Sequence, residues 1–235
     1  MSQITTGTQL STFITGLNAE ATIDPTLLDV LAENAKTIIE AERPWMVLRK
    51  TNSALSLSSG NRWTVATSLA TITDFSRFYG EFPVRLFDGT NRTEYFRQVA
   101  FDRQLEYKDV SNTFRHDVAG GNLYFNGVIP FSGTLYQNYI ASSPALDLTT
   151  AHPIWTPFPA RFLPIIGYYA IGIFKGGVDY DEINRQMLPT NAAVLAALKN
   201  AMCAWDDSLQ QSEIEHNDPS DLYGGFHRDR AINRD

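Results

Sequence analysis

Four histidines, one cysteine and a short run of acids are the side chains here that could carry chemistry. The histidines are His116, His152, His216 and His227. No two of them fall three or four residues apart, the spacing that puts two imidazoles on one helical face around a metal. The run Asp179-Tyr180-Asp181-Glu182 could supply half of a carboxylate metal site. The same acids follow Gly176-Gly177 and open a helical stretch, where they complement the helix dipole, and that reading is preferred. Cys203 as a nucleophile needs a neighbour that stabilises its thiolate. One helical turn away it has Lys199, Asn200, Asp206 and Asp207 and no histidine, which makes it a small core residue on an alanine-rich helix. Asp206 and Asp207 are read as solvated. Gly-x-Ser-x-Gly, Gly-rich phosphate-loop and His-Glu-x-x-His motifs are all missing. The expectation is a protein that is not an enzyme and uses no cofactor or metal.

Aromatic side chains are the other resource. Phe75, Phe78, Tyr79, Tyr95, Phe96 and Tyr107 crowd the middle of the chain. Flat rings can form a platform on which sugars or bases stack. Rings also suit a pleated, half-buried surface, and that second reading is preferred.

The chain has 235 residues, 43% hydrophobic and 19% charged, enough for a substantial core in ordinary globular composition. A formal net charge of -7 disfavours a general grip on nucleic-acid phosphates. A single cysteine rules out a disulfide within the chain. The opening "MSQITTGTQLSTFITG" shows neither the basic nor the apolar region of a signal peptide, so a reducing cytosol is expected and the Asn91 glycosylation sequon carries no meaning.

Those side chains need elements to hold them. Residues 1–23 read as a polar arm with a short helix near Gln9 to Leu17. Asp24-Pro25 reads as N-cap and first turn of an amphipathic helix that places Leu28, Leu31, Ala35, Ile38 and Ile39 on one face and Glu33, Lys36, Glu40 and Glu42 elsewhere, until Pro44. Alternation around Gly60-Asn61 predicts a hairpin joining Leu55 and Leu57 to Trp63 and Val65. Further strands are expected in "EFPVRLF" before Asp88-Gly89, and at Asn122 to Phe125 and Thr134 to Ile140. The most apolar stretch, "RFLPIIGYYAIGIFK", holds thirteen uncharged residues between Arg161 and Lys175. As a helix they span roughly 20 Å, too short for a hydrocarbon layer of about 30 Å, so this is a central core helix and no membrane is crossed. A short acidic helix stops before Pro189. A last helix is expected to bury Val194, Leu198, Ala201, Trp205 and Leu209.

The fold expected is α+β, a helical bundle built from N- and C-terminal helices with an inserted antiparallel β-rich domain. Its parts are an arm (1–23), the first long helix (24–52), the β-rich insertion (53–145), the remaining helices (146–212) and a tail (213–235).

The order of these elements resembles the head-to-tail adaptor proteins of tailed bacteriophages, also called head-completion or connector proteins. The likeness covers roughly Asp24 to Ser212. It rests on "ERPWMVLRK" ending the first long helix, "SLSSGNRWTV" as a first hairpin and "ITDFSRF" after it. "GGNLYFNGVIP" and "GTLYQNYIASSP" are similar to a final strand pair, and "IWTPFPARFLPIIGYYAIGIF" to the approach to a central helix. The polar N-terminal segment, "KDVSNTFRHDV" and "LPIIGY" depart from the pattern. The resemblance implies a structural virion protein at the neck, made in the host cytoplasm. It forms a ring, usually twelve-fold, between the portal protein and the tail or nozzle proteins, and DNA passes through the lumen without specific binding. It also implies that the tail grips the portal, which here points to Leu222, Tyr223 and Phe226 with Arg228, Arg230 and Arg234, the residue types enriched at interface hot spots. Another neck or tail-completion protein is the alternative within the virion. A carbohydrate-binding β-module on a helical stalk, using Tyr95 or Phe96, is the alternative outside it. A metal enzyme built on Asp179 and Asp181 ranks last.

Overall fold

A computed structural model describes residues 4–18, 23–60, 64–66, 69, 72–100, 112–117, 121–149, 155 and 157–216. Leu222, Tyr223, Phe226, Arg228, Arg230 and Arg234 lie outside the described residues, as do Tyr107, Trp63 and His152. The chain divides into two compact units, Met1–Ile39 with Leu146–Asp235, and Glu40–Ala145.

The first unit is helical. Helix α1 (Gly7–Leu17) opens with a capping box, the Thr6 hydroxyl accepting from the Gln9 backbone N–H while the Gln9 side chain accepts from the Thr6 backbone. Helix α2 (Pro25–Glu42) starts where Asp24 Oδ1 accepts from the N–H of Thr26 at 2.8 Å and of Leu27 at 3.4 Å. Leu28, Leu31, Ala35 and Ile39 are buried along it. Lys36 was expected outside this face, yet it is buried and ion-paired with Glu33, whose other oxygen accepts from the Leu146 N–H at 2.9 Å. A charge placed off the apolar stripe can still be covered when a neighbouring segment brings polar partners to it.

A single 3-10 turn at 160–162 leads into α3 (Leu163–Phe174), followed by α4 (Tyr180–Arg185) and α5 (Pro189–His216). Helix α3 is buried from Leu163 through Gly172 apart from Pro164, and α1, α4 and α5 pack on it. Its glycines are what let the neighbours in. A Cβ on Gly167 would sit 2.6 Å from the Phe13 ring, and one on Gly172 would collide with the Ile183 side chain. No helix of the described residues is long and apolar enough to cross a membrane. On α5 the buried stripe is Leu195, Met202 and Asp206, while Val194, Leu198, Trp205 and Leu209 are half-buried and Ala201 is exposed. That stripe is one position away from the expected one, and half-buried Trp205 beside it meets Phe158 and Phe162 at 6.2 and 5.5 Å. Asp206, expected to be solvated, is fully buried.

The second unit is an eight-stranded sheet that curls. Its strands are β1 (Arg49–Leu57), β2 (Thr64–Ala66), β3 (Phe75–Phe78), β4 (Val84–Phe87), β5 (Thr93–Gln98), β6 (Thr113–Asp117), β7 (Asn122–Phe125) and β8 (Gly133–Ala141). Their order is β1-β8-β4-β5-β6-β7-β2, with β3 also paired to β8. The inner face buries Val84, Leu86, Phe96, Phe114, Leu123, Phe125 and Leu135. Phe96–Phe125 and Phe78–Phe114 meet edge to face, at 4.9 and 5.1 Å, the geometry aromatic quadrupoles favour.

The expected fold class is overturned here. The sheet is mixed, not antiparallel, since β5 and β6 pair parallel through Arg97–Thr113 and Gln98–Phe114. The stretch 99–112 between them is long enough for a crossover, so no hairpin forces them antiparallel. The sheet has a core of its own, and in sequence it falls, as expected, between the two parts of the helical unit, Met1–Ile39 and Leu146–Asp235. The hairpin expected at Gly60-Asn61 is not found among the described residues, of which 61–63 are not part: β1 pairs with β8 and β2 with β7, while Gly60 bridges to Ile129. Nine-residue β1 finds an equally long partner in β8, which offers a longer ladder than three-residue β2 could. The motif "SLSSGNRWTV" therefore no longer supports the family resemblance as a hairpin. The strand expected before Asp88-Gly89 is β4, and the turn there joins it to β5 in a hairpin.

Candidate interaction surface

Alternation along β4 sends Val84 and Leu86 inward and Arg85 and Phe87 outward. Register does the rest. Arg85 lies opposite Tyr95 on β5 and Tyr136 on β8, so three neighbouring strands present a Tyr–Arg–Tyr row on the outer face. The Arg85 guanidinium stands 4.7 Å over the Tyr136 ring. Phe87 meets Tyr136 edge-on at 6.5 Å, and Phe82, 46% exposed, meets Tyr95 at 6.4 Å. Arg85 has no carboxylate partner among the described residues. A guanidinium and four rings on one open sheet face match the composition of protein interface centres.

The edges of this unit are held by polar anchors. Burial pushes the Asp74 carboxyl up, but hydrogen bonds from Lys50 at 2.5 Å and Tyr139 at 3.0 Å outweigh that and leave its pKa lowered. Burial, then the bond to Asp74, pushes the Tyr139 hydroxyl up to about 12. Glu40 is buried and accepts from the Ser143 hydroxyl and, at 3.3 Å, from its N–H. Arg77 donates to the carbonyls of Glu40 and Ala41 at 3.5 Å and of Arg43 at 3.2 Å, at the C-terminal end of α2. Asp88 Oδ1 accepts from the N–H groups of Thr90, Asn91 and Arg92, which lower its pKa to about 2.

The residues singled out from the sequence are scattered. Asp179 Oδ1 accepts from the Glu182 N–H at 2.9 Å and Glu182 Oε2 from the Val178 N–H at 3.1 Å, so these acids cap α4. Among the described residues no group of three or more His, Cys, Asp or Glu could hold a metal ion. Cys203 is half-buried on α5. His116 sits edge-on between Phe75 at 5.4 Å and Phe78 at 5.6 Å, inside the curl, where burial lowers its pKa against the pull of Asp117. Phe96 is 1% exposed and cannot be a stacking platform, which removes half of the carbohydrate reading. Tyr95 alone of the described rings in that list joins the outer row. The others of the row, Phe82, Arg85, Phe87 and Tyr136, went unnoticed. "FPVRLF" signals them by alternation, but pairing Arg85 with Tyr136 needs the β4–β8 register, which spans the chain.

No family model matches this chain, and no curated protein is similar to it.

Proposed function

We propose that this is a structural assembly protein, a head-to-tail adaptor of a tailed bacteriophage that works as one subunit of a ring between portal and tail. The observation that carries the assembly half of this reading is the outer row Tyr136–Arg85–Tyr95 with Phe82 and Phe87. Rings and guanidinium desolvate at little entropic cost compared with lysine or glutamate, and they bind through both faces and edges. A patch of this kind that meets a different surface on the next copy generates a closed ring when the rotation closes. The adaptor half rests on the resemblance in element order and on the net charge of -7, since a lumen of that sign lets DNA slide instead of holding it. Portal docking is assigned to Leu222, Tyr223, Phe226, Arg228, Arg230 and Arg234.

Light scattering across a concentration series, with negative-stain images of the same sample, tests the reading. Closed rings are expected from the native chain. A double variant, Arg85→Glu with Tyr136→Ala, is expected to stay monomeric while its far-ultraviolet circular dichroism is unchanged. A native chain that is monomeric at every concentration and absent from the necks of isolated virions defeats the proposal. Rings that form equally well from the double variant would move the interface elsewhere.

A further inference from the structure

The helical unit contains a cleft of about 700 Å³ walled by α1, the start of α3 and α5. Its floor and sides are mostly apolar, with Ile4, Phe13, Val194 and Leu198 among them. On the α1 side Thr8, Gln9 and Thr12 add polar groups to that surface, and on the opposite wall two more side chains break it. Arg161, in the turn before α3, and Tyr168, seven residues on, both line it. Arg161 is exposed, lies 4.8 Å over the Phe162 ring and has no carboxylate partner among the described residues. Tyr168 is 3% exposed and meets Phe13 edge-on at 5.5 Å. Its hydroxyl has no hydrogen-bond partner among the described residues, and burial pushes its pKa up. The ring is buried while the hydroxyl opens to the cleft, where it can donate to a bound group.

We infer that this cleft binds a small amphiphilic monoanion, whose apolar body lies along Phe13, Val194 and Leu198, whose carboxylate meets Arg161, and whose distal oxygen accepts from the Tyr168 hydroxyl. The volume lies in the range of pockets that enclose small molecules. Seven residues at 1.5 Å each set the two polar groups about 10 Å apart along the helix axis, which suits a medium-chain acid bearing oxygen at both ends. An unpaired cation in a chain of net charge -7 gives the carboxylate end its selectivity. The site is independent of the outer sheet row and of any ring.

The test is calorimetric titration of the full-length protein with decanoate, ω-hydroxydecanoate and decanol, all below their micellar concentrations. Saturable binding of one acid per chain is expected, with ω-hydroxydecanoate the tightest and decanol the weakest. Arg161→Gln is expected to weaken both acids by at least about tenfold and leave decanol unchanged, as loss of a charged hydrogen bond requires. Tyr168→Phe is expected to remove only the advantage of the ω-hydroxyl. Arg161 is exposed, so its variant keeps the fold, and a melting curve on each variant checks this. Absence of saturation overturns the inference, and so does an Arg161→Gln protein that binds the acids as tightly as native. Ring formation, read by scattering on the same samples, stays unaffected whichever result is obtained.

Discussion

The two units solve the same packing problem with opposite means. In the helical unit the close contacts exist because side chains are missing: Gly167 admits the Phe13 ring to α3, and Gly172 admits Ile183 of α4. In the sheet unit they exist because large side chains are present, with Phe78–Phe114 and Phe96–Phe125 meeting edge to face and Phe114 tilted against Phe125 inside the curl. Helices need their backbones brought near, which a Cβ can prevent, whereas a curled sheet leaves a wide interior that only rings can fill. The lesson is that glycine and phenylalanine can be equally important to a core, each where the other would destroy it.

The largest effect should come from emptying either core. Phe125→Ala is expected to cost ~3–5 kcal/mol and Ile166→Ala ~2–5 kcal/mol, both being fully buried. Hydrogen exchange read residue by residue separates them. Phe125→Ala should speed exchange mainly within 40–145, and Ile166→Ala mainly in the helices around α3. Uniform acceleration by both variants would show that the units open together.

A smaller effect sharpens the glycine half of the comparison. Gly172→Ala is expected to lose ~1–3 kcal/mol by overpacking against Ile183, and Ile183→Val in the same chain should recover part of it. Gly16 is the control, since an added Cβ there meets nothing within 4 Å. Gly16→Ala should gain up to about 1 kcal/mol from backbone entropy alone. Denaturant melts measure both. Equal losses at the two glycines would mean that helix propensity, and not space, is what matters at Gly172.

The smallest effects are those of pH, and they belong to the sheet unit. His116 has a lowered pKa because its imidazole is buried between rings. The unfolded chain therefore takes up the proton first, and His116 costs no stability above about pH 6.5 but progressively more as pH falls below it. Tyr139 behaves in the opposite direction. Its folded pKa of about 12 lies above the ordinary value, so its contribution is complete below about pH 10 and disappears as pH rises through 12. Melting temperatures of His116→Leu and Tyr139→Phe should be flatter than native on the acid and alkaline sides respectively. A native curve flat on both sides would refute the burial assigned to these groups.

How much of this could be read beforehand depends on how far apart the interacting residues lie. The start of α2 at Asp24-Pro25, the strand ending at Asp88-Gly89, β7, and α3 ending before Gly176-Gly177 were all visible, because caps, turns and breakers act within a few residues. The α4 caps at Asp179 and Glu182 were visible for the same reason. The pairing of β1 was not, because its partner β8 lies some eighty residues on and Gly60-Asn61 looks locally like a turn. Burial of Lys36 and Glu40 was hidden too: Glu33, the partner of Lys36, bonds to Leu146, and Glu40 bonds to Ser143, each more than a hundred residues away.

The candidate surface divides along the same line. Alternation alone determined that Arg85 and Phe87 share a face, and composition alone determined an acidic chain with one cysteine. Which rings would point inward and which outward was decided only by the tertiary structure. Phe96 and Tyr95 are adjacent, and nothing local distinguishes a core ring from a surface one. The strand register between β8, β4 and β5 does, because a shift of one residue would exchange every inward side chain for an outward one.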